Sequence, residues 1–122
     1  MHVFPALADW RFVLLDVRDG AGQPLALDGF EIKATFEAGL AREPIQTCSR
    51  AGGQITVTPV SGKGPTIAID ARAAARPGFD PRADVVVTGD VMLFAGAGAG
   101  RTADRIERIL FKAEAGTTRR DA

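Results

Sequence analysis

Residues 30–37 carry the cleanest alternation in the chain. Phe30, Ile32, Ala34 and Phe36 are apolar, and Glu31, Lys33, Thr35 and Glu37 lie between them. A period of two predicts a β-strand with one buried and one wet face. Residues 10–18 read as the first strand, with Phe12 and Leu14 on one face and Val13, Leu15 and Val17 on the other. Apolar residues on both faces predict a central strand, or one covered by a partner. Asp19, Gly20, Gly22 and Pro24 break this run, and residues 25–27 resume it. The stretch 10–27 therefore reads as a strand, turn and strand around which the rest is organised.

Further short strands are predicted at 45–49, 55–58, 66–69 and 83–88, with 91–95 as a possible addition. Turn signals separate them at Gly39, Gly52-Gly53, Pro59, Pro65 and Pro77-Gly78. Residues 70–76 are predicted as a short helix, with Asp70 as its N-cap and Pro77-Gly78 ending it. Residues 102–114 fit two patterns. Ile106, Ile109, Leu110 and Ala113 suit a helix capped by Thr102, whereas Ile109, Phe111 and Ala113 suit one face of a strand; periodicity slightly favours the helix. Short strands with regular turn signals predict an all-β fold, an antiparallel sandwich or a barrel, of about seven or eight strands with one short helix near 70–76.

The domain is expected to span 10–115, between an arm at 1–9 and a polar tail at 116–122. Val3, Phe4 and Leu7 of the arm have two equal readings: packing on the domain's own edge, or on a neighbouring subunit. Trp10 follows as a core or rim anchor. Together Val3, Phe4, Leu7 and Trp10 form the candidate interface.

Composition narrows the function. A chain of 122 residues fits one domain and can bury a core without staples. Fifteen basic residues balance fifteen acidic ones, which argues against nucleic acid as a partner and leaves little repulsion between copies. Cys48 is the single cysteine, so no intrachain disulfide can form, and it reads as a small apolar strand residue. The single histidine, His2, lies near the terminus, which leaves no Cys-His pair and no zinc set. No membrane-length apolar run occurs. No secretory leader is expected in residues 1–7, which have no basic n-region and are interrupted by Pro5.

The chemistry-bearing motifs reduce to turns. Gly96, Gly98 and Gly100 suggest a phosphate loop, but Arg101 stands where a dinucleotide fingerprint needs its last glycine. A P-loop would need glycine at Ala95 and lysine at Arg101. A flexible hairpin connection is the reading. Asp16, Asp19, Asp28, Asp80, Asp84 and Asp90 are scattered and form no calcium loop. No Gly-x-Ser-x-Gly elbow and no acid/base pair appear, so neither an enzyme nor a cofactor is expected. A small carbohydrate- or ligand-binding β-module is the alternative, with Trp10 and a loop aromatic such as Phe79 or Phe94 as contacts.

The order of these signals resembles small β-sandwich proteins of tailed bacteriophages, the group of baseplate upper proteins with an immunoglobulin-like N-terminal domain. An apolar strand leads into Asp19-Gly-Ala-Gly-Gln-Pro24, then Leu25-Ala-Leu-Asp-Gly29 and the alternating strand. Gly52-Gly-Gln-Ile55, Pro77-Gly78, Asp84-Val-Val-Val87 and Gly116-Thr-Thr-Arg119 follow in the same order. The chain departs from the group at Ala83, where an aromatic is common, and in the Gly/Ala-rich stretch before Arg101. The resemblance implies an immunoglobulin-like sandwich and a virion structural module of tail or baseplate. It implies no activity and no cofactor, with other virion subunits and copies of itself as partners.

Overall fold

The computed structural model describes residues 2–25, 30–95 and 102–115. The expected Gly96–Gly100 connection and the 116–122 tail lie outside them. Eight strands follow in chain order: β1 (His2–Pro5), β2 (Trp10–Leu14), β3 (Phe30–Ala38), β4 (Glu43–Ser49), β5 (Ile55–Thr58), β6 (Thr66–Ala71), β7 (Val85–Ala95) and β8 (Thr102–Glu114). They form a five-stranded sheet, β1-β8-β7-β3-β4, and a three-stranded sheet, β2-β6-β5. Every pairing is antiparallel except β1 with β8. The fold is all-β, as the sequence predicts.

The two sheets enclose one core. Ile32, Phe36, Val87, Val91 and Phe111 come from the large sheet, and Trp10, Ile55, Ile67 and Ile69 from the small one. Trp10, Phe36 and Phe111 are fully buried and meet edge to face, with Trp10 ring centroids 6.1 Å from Phe36 and 4.9 Å from Phe111. Such contacts add specific geometry to the large apolar area these rings remove from water.

β3 follows its alternation. Ile32, Ala34 and Phe36 are buried, Phe30 is half-buried and Lys33 is exposed. Glu31 does more than stay wet, because its Oε1 accepts the amides of Ile32, Arg50 and Ala51 at 2.8, 3.0 and 3.2 Å and so caps the turn after β4.

Four expectations are corrected. Of the two readings of β2, central or covered by a partner, the central one falls: among the described residues it pairs with β6 alone, and Val13 and, just beyond the strand, Leu15 are 61% and 74% exposed. The helix at 70–76 is replaced by a single 3-10 turn at Ala73–Ala75, and Asp70 belongs to β6. Ala71 is fully buried opposite Trp10, which holds residues 70–71 in the sheet. Asp9, distant in sequence, accepts the Ala73 amide at 2.8 Å and does the capping expected of Asp70.

The helix favoured at 102–114 is β8. A bulge between Val91 and Met92 of β7 leaves Ile106 as the extra residue of β8. The extra residue shifts the inward phase, so apolar positions recur at a spacing of three and imitate a helical stripe. Finally, residues 85–95 form one strand rather than two. Gly89, between the two expected strands, is where β7 passes the Phe36 ring; a Cβ there would stand 2.6 Å from a ring carbon.

Candidate functional site

The arm is part of the domain. β1 adds to the edge of β8 in parallel, with Val3 opposite Lys112 and Phe4 opposite Ala113. Phe4 turns inward onto Phe12 and Phe111, at centroid distances of 5.5 and 5.3 Å. Leu7 is half-buried and lines a small surface cavity with Ala73, Ala74, Pro77 and Phe79. Trp10 is fully buried and its Nε1–H donates to the Pro5 carbonyl at 3.0 Å. Of the four candidate interface residues, only Val3 faces outward to a substantial degree, at 47% exposure.

Val3 has neighbours on the same face. Cross-strand partners share a face of the sheet, and Lys112 pairs with both Val3 and Val86. One row therefore reads Val3, Lys112, Val86, and the next carries Leu110 opposite Thr88. Val86 and Leu110 are 43% and 48% exposed. This apolar row sits beside a charged one. Asp90 accepts from Arg108 at 2.8 Å and from Arg42 at 3.2 Å, Arg42 also reaches Glu37 at 2.7 Å, and Arg105 lies 3.9 Å from Asp90. The Arg108 hydrogen bond, aided by the charges of the three arginines, holds the Asp90 carboxyl below the usual aspartate range. Small apolar exposure rimmed by charge is the ordinary composition of a transient protein interface.

A second feature lies at the end of the sheets. The β3–β4 turn and the 75–85 segment bound an open cleft of about 590 Å³. Its walls include Ile45, Pro77, Phe79, Pro81 and Val85; exposed Leu40 stands at the turn, and the charged lining residues are Glu43 and Arg76. Of the two aromatic residues paired with Trp10 in the ligand-binding reading, Phe79 is in this cleft. Trp10 is not available for ligand stacking, because the other rings and Arg76 cover it.

Arg76 is the functional-site feature that sequence reasoning missed. It is 4% exposed, and its guanidinium carbon lies 3.3 Å from the Trp10 ring centroid. One terminal nitrogen donates to the Gln46 side chain and the Ala71 carbonyl, each at 2.9 Å. The other donates to the carbonyls of Ala6 and Ala8. Its Nε–H meets no acceptor among the described residues. All four acceptors are neutral, and no carboxylate among the described residues lies in ion-pair reach of Arg76. Burial pushes its pKa down to about 10, partly opposed by the charge of Asp9. An Ala/Arg-rich stretch before Pro-Gly gives no sign that one arginine folds inward.

Cys48 is buried, and desolvation raises its thiol to about 11, so it is a packing residue without thiolate character at neutral pH. Among the described residues no cluster of three His, Cys, Asp or Glu side chains could hold a metal ion, and no helix is long and apolar enough to cross a membrane. Comparison with known proteins adds no class: no protein-family model, curated protein or solved structure matches the chain.

Proposed function

We propose that this protein is a non-enzymatic structural module that works by binding neighbouring subunits. In full, the proposal is an immunoglobulin-like sandwich of a phage or phage-like particle, in its tail or baseplate, assembled in the bacterial cytoplasm. The observation that carries the interaction reading is the set of exposed apolar residues Val3, Val86 and Leu110, which occupy two adjacent rows of the sheet face beside the charged one. The formal charge balance supports it, since copies and neighbours meet with little long-range repulsion. The particle itself is supported by the order of turn motifs along the chain.

Truncating the arm is a poor test, because Ala6 is buried and Arg76 is bonded to Ala6 and Ala8. Val3→Asp with Leu110→Asp changes this set without touching the core. The double variant is expected to keep its thermal midpoint and to lose incorporation into particles. Normal incorporation of a folded double variant moves the contact elsewhere. Full-length protein found free and never in particles overturns the structural-module reading.

A further inference from the structure

We propose that the cleft between the β3–β4 turn and residues 75–85 binds a small apolar carboxylate, with Arg76 supplying the positive field. The inference is independent of the assembly reading, and either can hold without the other. The cleft, at about 590 Å³, is in the size range of small-molecule sites. Its lining has the pattern of such sites: apolar walls and few polar groups. Pro44, Pro77 and Pro81 stiffen those walls, so little ordering is lost on binding.

The sign of the ligand follows from Arg76. Its guanidinium is buried, its hydrogen bonds run to neutral oxygens, and one N–H has no acceptor among the described residues. Asp9 acts on it through space, but the Asp9 carboxylate is engaged by the Ala73 amide. A buried cation without a contact anion projects its field through low-dielectric surroundings. Arg76 is among the residues that line the cleft while its guanidinium is turned onto Trp10, so a carboxylate settling there gains this attraction through space, without direct contact, as its apolar body leaves water. Glu43 is the opposing charge, but it is exposed on the rim, where solvent screens it. The match is therefore an apolar body with one anionic head, and a neutral or cationic analogue of the same body is rejected.

The site can be altered without touching the Arg76 clamp. Gly78 lines the cleft, and a Cβ built on it meets nothing within 4 Å, so Gly78→Phe adds bulk at the cleft wall with no clash at the Cβ, and its melting curve checks that the fold is kept. Glu43→Lys reverses the opposing rim charge. The experiment titrates full-length protein with 8-anilinonaphthalene-1-sulfonate and displaces it with decanoate, decanol or decylamine. Decanoate is expected to compete about ten-fold better than decanol, and decylamine least. Glu43→Lys should strengthen decanoate several-fold. Gly78→Phe should abolish saturable probe binding while leaving the melting curve in place. Equal competition by the three compounds, or decanoate binding unchanged in Gly78→Phe, overturns the proposal.

Discussion

The guanidinium carbon of Arg76 lies over the indole of Trp10, 3.3 Å from its ring centroid. The same group bonds carbonyls of Ala6, Ala8 and Ala71 and the Gln46 side chain, so one side chain ties the arm, β4 and the end of β6 to the core. A planar fork of donors suits this role, and a lysine has no equivalent geometry.

Arg76→Met is expected to lower stability by roughly 3 kcal/mol, because it strands buried carbonyls and removes a desolvated cation–π contact. Arg76→Lys should fall between the two. Trp10 is the chain's single tryptophan, so its fluorescence reads both the urea melt and the loss of the stacked cation. A wild-type midpoint in Arg76→Met would show that the clamp adds nothing.

The crossing of β7 over Phe36 gives a second expectation. Gly89→Ala should destabilise by about 1–3 kcal/mol through overpacking, since its Cβ would stand 2.6 and 2.8 Å from Phe36 ring carbons. Phe36→Ala should cost about 3–5 kcal/mol as a large-to-small core change. Gly20→Ala, where the added Cβ meets nothing within 4 Å, is the control and should stay near wild type. Differential scanning calorimetry of the three variants reads the order directly.

Acid sensitivity should trace to two aspartates. Asp16 accepts the Gly64 amide at 2.6 Å, and this bond with Arg18 holds its pKa below the ordinary 3.8; Asp90 is lowered first by its Arg108 hydrogen bond. A depressed carboxylate adds stability that is present above its unfolded pKa and is lost as pH falls through the folded one. The wild type should therefore weaken progressively below pH 3.8, and Asp90→Asn should show a shallower acid limb in urea melts. Both groups are largely solvated, so their share of the acid sensitivity should be small and should shrink further as salt is added.

Cys48 should be inert in the folded protein. Burial raises its thiol to about 11, and its Sγ lies 3.8 Å from the Asp70 carbonyl oxygen. A chromogenic disulfide reagent should label it only after denaturation, at a rate following global unfolding. Rapid labelling under native conditions would place the β4 edge in an open state.

Where local chemistry decides conformation, the sequence was sufficient. The alternation at 30–37 defined β3 and its inward face, and turn residues separated the strands. Asp19 accepts the amides of Ala21 and Gln23 at 2.9 and 3.0 Å, and Gly22 takes a φ of +80°, as such a turn requires. The all-β class follows from these local preferences, because period-two burial needs no knowledge of partners.

Only the tertiary structure decided what depended on contacts far along the chain. Residues 70–71 have the composition of a helix start but pair with β2, and Asp9 caps the turn that remains. One bulged residue, Ile106, turned a strand's pattern into a helix's. Gly89 was set by a ring from another strand, and Trp10 was drawn inward by Phe36, Phe111 and Arg76. Arg76 lies furthest from sequence reading, because burying a cation is unfavourable until four acceptors from three segments converge on it. No local pattern records that convergence; it exists only once the arm, β4 and β6 have been brought together.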